Sequence, residues 1–461
     1  MSGTSPRSIS RFLAVQVVAI TVGLSVLIGP VSAASPPYLV KNIRAGASGS
    51  NPTQLTAVGD VLFFSGRDGK GRELWKSDGS QTGTVRVKNI RPGTGHSNPH
   101  ELVNVGGTLF FVANDGAHGN ELWMSDGTAA GTVMVEDITP GAAGSSISSL
   151  TNAAGVLHFF KTEPTQELWT SDGTPEGTSV VAELSDEAGN PVPLMTIFTT
   201  FYFQVVDGGV ATVWTSDGDP ANTGPVDYLL SSYWLIYLNG TFYFSHFDRA
   251  TGIELWKSDG TPDGIELVKD IDTSGDTFCA GSTCSSDPDK PVILNGVMYF
   301  GAWTDSYTYQ NLWRSNGTEA GTYQVSDVQF PWQLTKLGSR LIFAAQAPDQ
   351  GAELWRTNGT DAGTTLVKRI APEDSFGSSP SDLIRVGNRV YFTADPLANP
   401  FHDPSNRELY RTDGTKTGTK VVLDINPTGA SNPESLTNVA GTLYFTADDG
   451  VHGRELWRFV P

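Results

Sequence analysis

Glu73-Leu74-Trp75-Lys76-Ser77-Asp78-Gly79, with Thr82-Gly83-Thr84 close behind, is a phrase that this chain repeats. It returns as Glu121-Leu-Trp-Met-Ser-Asp-Gly-Thr128, Glu167-Leu-Trp-Thr-Ser-Asp-Gly-Thr174 and Glu254-Leu-Trp-Lys-Ser-Asp-Gly-Thr261. Further copies are Asn311-Leu-Trp-Arg-Ser-Asn-Gly-Thr318, Glu353-Leu-Trp-Arg-Thr-Asn-Gly-Thr360 and Glu408-Leu-Tyr-Arg-Thr-Asp-Gly-Thr415. A weaker copy is Thr212-Val-Trp-Thr-Ser-Asp-Gly218, and the last is Glu455-Leu456-Trp457. The aromatic residue stands at 75, 123, 169, 214, 256, 313, 355, 410 and 457, so the period runs from 42 to 57 residues. Such a period, filled with β-branched and aromatic runs between Gly-rich turns, predicts the blades of a β-propeller.

Around the phrase each unit divides into four strands. In the ninth, Ser435–Val439 reads as the inner strand A, Ala440-Gly441 as a tight turn and Thr442–Thr446 as strand B. Asp448-Asp449-Gly450 then turns the chain into strand C at Glu455–Trp457. Asp-Gly and Gly-Gly pairs between apolar runs are hairpin chemistry. Elsewhere a strand D follows the Ser-Asp-Gly-Thr turn, as at Val133–Ile138 and Lys420–Ile425. The ninth unit has no strand D of its own, whereas Tyr38–Ile43 reads as a strand D without a unit. The expected fold is therefore all-β: a propeller of about nine four-stranded blades, its ring closed by the N-terminal strand pairing with the last blade.

Composition agrees with many short strands. The 461 residues include 51 Gly and 27 Pro, and only 17% are charged. The formal charge is −19, from 30 basic and 49 acidic side chains. A surface this acidic repels phosphate backbones, which argues against nucleic-acid binding. Arg7 and Arg11 precede an apolar run from Phe12 to Ile28, followed by Val31-Ser32-Ala33-Ala34. That pattern predicts a signal peptide over 1–33, a single propeller domain over 34–461, and an exported protein, secreted, periplasmic or held at the cell surface. No second apolar stretch of spanning length follows, so no membrane span is expected once the signal is removed. The two cysteines, Cys279 and Cys284, lie in one short loop and are expected to form a disulfide in an oxidising compartment.

The phrase Glu-Leu-Trp-x-Ser-Asp-Gly-Thr-x-x-Gly-Thr resembles the bacterial ELWxxDGT repeat family, over essentially all of residues 38–461. The resemblance implies a secreted or surface-associated propeller-like array and brings no agreed activity with it.

Nine copies act as internal controls: what most units share is architecture, and chemistry is expected where one unit departs. The Trp of strand C should fill the wedge between blades. The Asp of Ser-Asp-Gly-Thr should accept N–H groups across its own turn while Gly takes positive φ. The strand-C Glu, replaced by Thr212 and Asn311 in two units, should be a polar partner for backbone or hydroxyl groups. His118 and His452 share one repeat slot and read as turn residues. The largest departures are the D–A insertion Asp272–Asp289, the B–C loop 303–310 and the B–C loop 395–406. In an antiparallel four-stranded blade, all three open on one face.

Trp303, Tyr307 and Tyr309 near Asp305 resemble a sugar-stacking platform with a polar handle, and Phe401 and His402 stand in the third departure. No Gly-x-Ser-x-Gly, His-Glu-x-x-His or phosphate-cradling loop occurs, and no metal or cofactor is expected. These observations favour a non-enzymatic binding propeller engaging a glycan or protein through the B–C and D–A loops. A polysaccharide hydrolase or lyase on the same scaffold and a structural envelope or matrix component are the alternatives, and no catalytic residue is assigned.

Overall fold

The computed structural model describes residues 36–184, 189–207, 210–229, 234–273, 284–304, 309–347, 351–372, 376–397 and 406–461. Their 35 strands form eight antiparallel sheets, and no α-helix occurs among them. Seven sheets have four strands. The eighth has seven, because the strand Tyr323–Leu337 is both strand D of unit six and strand A of unit seven. Divided within that strand, the sheets correspond one to one with the nine sequence units.

Unit one shows the common plan, with strands A to D at Thr53–Val58, Val61–Asp68, Gly71–Ser77 and Val85–Arg86. Strand B is buried on both faces, which is why Leu62-Phe63-Phe64 runs apolar without alternation. Strand A carries a bulge in most units. Its extra residue takes positive φ, as at Gln54, Glu101, Ser149, Gln333, Asp382 and Ser435. Two of these side chains reach the next unit: Leu150 N–H donates to Glu101 Oε2 at 3.3 Å, and Leu383 N–H to Gln333 Oε1 at 2.9 Å.

The last sheet has the order expected from the orphan strand. Tyr38–Lys41 pairs antiparallel with Arg454–Phe459, which pairs with Thr442–Asp448 and then Glu434–Val439. The N-terminal strand stops at Lys41, two residues short of the expected Ile43, because the chain bends there toward Glu455, which accepts Arg44 N–H at 3.2 Å.

Nine apolar clusters lie between consecutive units. Trp123 of unit two sits with Phe63, Leu74 and Val87 of unit one, and Trp313 of unit six with Tyr243, Leu255 and Val268 of unit five. Another cluster joins Val40, Tyr444 and Leu456 of unit nine to Leu62, Phe64 and Trp75 of unit one. The strand-C tryptophans thus pack between units, as their recurrence predicts. Lysines in or just beyond strand D add polar ties: the Nζ of Lys41, Lys88 and Lys368 donate to the carbonyls of Thr84, Thr132 and Thr419 in the next unit.

The repeated Ser-Asp-Gly-Thr turn is held from within. Asp126 Oδ1 accepts Thr128 N–H at 2.7 Å, Gly127 has φ +87°, and Ser125 Oγ lies 2.8 Å from Thr132 Oγ1. Asn316 and Asn358 do the same work through Oδ1, so the sequon-like Asn-Gly-Thr there is turn chemistry.

The strand-C glutamates are latches. In unit one, Ile90 N–H and Ser97 Oγ–H donate to Glu73 Oε2 at 2.8 and 2.7 Å, fastening the D–A connection to strand C. Glu121, Glu254, Glu353, Glu408 and Glu455 hold serines of their own D–A connections in the same way. All six are buried. Burial raises their carboxyls above the ordinary range, to about 7 for Glu121 and Glu254.

Candidate functional site

The described part of the D–A insertion returns along unit six. Its latch is Glu254, which accepts Ser286 N–H at 3.0 Å and Ser286 Oγ–H at 2.6 Å. From there the segment pairs with the end of strand B: Trp303 N–H donates to Ser286 O at 2.8 Å and Asp289 N–H to Gly301 O at 2.9 Å. Two of the three departures picked out from sequence are therefore neighbours. Cys284 is buried at the start of this segment, and Cys279 lies outside the described residues.

Strand B of unit six ends at Trp303 and strand C begins at Gln310. Trp303 meets Phe330 edge-on, with ring centroids 5.9 Å apart, and Tyr309 meets the same ring at 5.8 Å. Tyr309 is 44% exposed. Phe330 has φ +46°, a conformation that bulky residues rarely adopt and that tends to persist where function requires it. It lies within the long strand shared by units six and seven, and Pro331 follows it.

A polar edge completes the arrangement. Gly301 pairs with Leu312 in the register where Ser65, Val112, Ala344 and Thr446 pair with the strand-C Leu of their units. A Cβ at Gly301 would stand 3.0 Å from Asp289 Oδ2 and 3.3 Å from Gln310 Oε1. The glycine thus makes room for a carboxylate that its counterparts would crowd. Asp289 is exposed as a residue, but partial desolvation raises its carboxyl, the neighbouring Asp287 charge adds to this, and a hydrogen bond with Gln310 opposes it. Burial raises Asp287 as well. Asn311, the unit-six replacement for the latch Glu, still reaches the strand-D end by donating Nδ2–H to Val328 O at 3.3 Å.

Trp303 and Tyr309 are thus brought together around Phe330. Asp305, Tyr307, Phe401 and His402 lie outside the described residues. In the third departure Asp395 is buried, its N–H donating to Ser378 O at 2.9 Å, and Leu397 is 61% exposed. Phe330, Asp289 and Gln310 were not singled out from the sequence. The available signal was the compressed 42-residue spacing between Trp313 and Trp355, which leaves Phe330 on a connection too short to hide it.

The histidines behave as turn residues. His118 N–H donates to Asp115 Oδ1 at 2.9 Å, with Nδ1 2.7 Å from Oδ2, and His452 repeats this with Asp449. His96 Nδ1 accepts Arg72 N–H at 2.8 Å.

Exposed apolar side chains occur at both ends of the units, but the most exposed of them favour the end that carries the B–C and D–A connections. Among the described residues, six large hydrophobic side chains are more than half exposed: Phe198, Val210, Phe247, Phe376, Leu397 and Val451. All but Phe198 lie on or beside B–C or D–A connections, and they belong to units four, five, seven, eight and nine.

No protein-family model matches this chain, and no curated protein matches it. Among solved structures, one from a study of two prolyl endopeptidases is similar over 76% of this chain and 54% of its own, at 11% identity and a TM-score of 0.43. A puromycin hydrolase is similar over 76% of this chain and 58% of its own, at 12% identity and a TM-score of 0.39. A puromycin-hydrolyzing peptidase of Mycobacterium tuberculosis is similar over 80% of this chain and 62% of its own, at 12% identity and a TM-score of 0.40. This chain spans less than two thirds of each of these proteins, and at such TM-scores the likeness carries no functional assignment.

Proposed function

We propose that this chain is an exported binding propeller of the ELWxxDGT repeat type, engaging a glycan or a protein through the face that carries its B–C and D–A connections. The nine units close into one ring, with Tyr38–Lys41 as the last strand of the ninth. The inter-unit clusters, including the one between units nine and one, support this closure. The signal over 1–33 directs export, and the Cys279–Cys284 disulfide staples the D–A insertion. Among the described residues no helix is long and apolar enough to cross a membrane.

The observation that carries the binding function is the placement of five of the six most exposed large apolar side chains at this one end of the units. The five belong to five different units, so they offer spaced apolar anchor points on this face and not one continuous patch. Residues shared by the units are occupied internally as latches, turn caps and wedges, which leaves recognition to the departures. Trp303, Tyr309 and Phe330, with Asp289 and Gln310 at their edge, suit the apolar face and hydroxyl rim of a sugar ring.

The carboxyls of half-buried Asp287 and exposed Asp289, both raised by partial desolvation beside this platform, favour a second reading, a polysaccharide hydrolase or lyase. Incubating the mature protein with a panel of bacterial and plant polysaccharides separates the two. Retention of one polysaccharide with no soluble product supports binding, whereas release of defined oligosaccharides establishes catalysis and overturns it.

A further inference from the structure

The opposite end of the units, where the A–B and C–D turns lie, has a departure of its own. Strand B begins with Arg only in units seven and eight, at Arg340 and Arg389, and with Val or Thr in the others. Leu341 pairs with Thr357 and Val390 with Thr412, so Arg340 falls opposite Asn358 and Arg389 opposite Asp413. Two residues earlier in strand C, on the same face of each sheet, stand Arg356 and Arg411. In unit eight the carboxylate of Asp413 answers the arginines: hydrogen bonds from Thr415 hold it below the usual range, and the Arg389 charge adds to this. In unit seven the turn residue is Asn358, and the two guanidinium groups meet no such carboxylate. Unit six also has Asn, at 316, but its strand B begins with Val297, and Arg314 lies over the Tyr323 ring at 5.1 Å. Only unit seven combines two arginines with an uncharged turn.

A cleft of about 90 Å³ lies there, lined by Arg340, Arg356, Asn358, Ala362, Gly363 and Thr365. Arg356 is fixed in place: its Nη1–H donates to Gly414 O at 2.7 Å and its Nε–H to Thr365 Oγ1 at 3.1 Å, which leaves Nη2 for a ligand. Arg340 is exposed, and its side chain makes no hydrogen bond or ion pair among the described residues. Asn358 Oδ1 accepts Thr360 N–H and Oγ–H at 3.1 and 2.8 Å, so its Nδ2 amide is the half left over. Asp361, on the same turn, is exposed and does not line the cleft. The side-chain groups left unengaged are thus donors, and guanidinium forks match oxyanions. Lys336, Arg385 and Lys416 stand on the same end of units seven and eight and reverse locally the field of a chain whose formal charge is −19. The volume suits one oxyanion group and not a whole sugar. Donors alone also leave no place for the proton that a phosphate monoester takes up below about pH 6, whereas sulfate carries none. We propose that this cleft binds a sulfate group, free or as a monoester on a larger ligand, through Arg340, Arg356 and Asn358. The site lies at the other end of the units from the unit-six platform and stands or falls without it.

The test uses the full mature chain at constant ionic strength, set with sodium chloride, and titration calorimetry with sodium sulfate, glucose 6-sulfate and glucose. One equivalent of sulfate or of the sulfate ester is expected to bind, and glucose none. Tighter binding of the ester identifies a sulfated ligand as the source, and tighter binding of free sulfate identifies the ion. Asn358→Asp gives unit seven the turn of unit eight, so the melting temperature should hold while sulfate affinity falls at least about 10-fold, the scale of a lost hydrogen bond to a charged group. Arg340→Gln, at an exposed position, should do the same. Asn316→Asp makes the same charge change in unit six and should leave the affinity unaltered. Lack of saturable binding by either sulfate compound, unchanged affinity in both unit-seven variants, or an equal loss in Asn316→Asp would each overturn the proposal.

Discussion

Leu39 lies opposite Trp457 in antiparallel register, so the first described strand completes the last sheet. The same strand also reaches the first unit: Val40 is buried with Phe64 and Trp75, and Lys41 Nζ donates to Thr84 O at 2.7 Å. Removing Tyr38–Ile43 should therefore break two joints at once. Losing buried Val40 and half-buried Leu39 alone is expected to cost about 2–3 kcal/mol, and the edge of Arg454–Phe459 would be left open to aggregation. Thermal melting of the deletion variant checks this, and a variant as stable as the parent would refute the proposed closure.

Replacing both Trp303 and Tyr309 by Ala strips two rings from Phe330 at a partly exposed site. Glycan or protein binding should fall by at least about 10-fold, since stacked rings are each worth about 1 kcal/mol beyond their buried area. The melting temperature should barely move. Unchanged affinity would remove unit six from the binding face.

The latch glutamates give stability an unusual pH dependence. Glu121 and Glu254 titrate near 7 in the folded protein against 4.5 in the unfolded chain, because burial disfavours their charged form. Between those values the native state holds more protons than the unfolded state, so this contribution is complete below about pH 4.5 and is lost as pH rises toward 7. The turn aspartates Asp126, Asp172 and Asp259 are held below the usual carboxylate range by their own Thr hydrogen bonds, and their contribution is lost as pH falls below 3.8. Melting temperature should peak between pH 4 and 5 and decline toward neutrality. Glu254→Gln should flatten the decline, and an unchanged profile would exclude Glu254 as its source.

Asp126→Asn should leave the melting temperature unaltered, because Asn316 and Asn358 accept the same N–H in other units, whereas Asp126→Ala should lower it. Calcium should shift neither variant relative to the parent. A calcium-dependent rise in the parent that is lost in Asp126→Asn would make the turn an ion site.

The repeated residues were legible because each has one environment, copied from unit to unit. Glu73 and Trp75 recur since a wedge fills every joint and a latch closes most of them, and their partners stand at similar distances along the chain. What single units do was less legible, for it depends on residues far from the repeat. Glu167 leaves its latch because Lys161 and Trp169 compete for it. Phe330 emerges because units six and seven share a strand, and Asp289 fits only because position 301 has no side chain. Sequence pointed to Trp303 and Tyr309 as departures; the ring that joins them came from another unit's boundary.

The strand Tyr323–Leu337 has a mechanical consequence. Most neighbouring units meet through apolar side chains, which can slide and repack with small loss. Units six and seven share, besides their apolar cluster, one uninterrupted strand, so shear between them must break ladder hydrogen bonds or bend the strand at Phe330. Relative sliding of these two units is therefore coupled to the strand that carries Phe330, and the aromatic platform sits on that shared backbone.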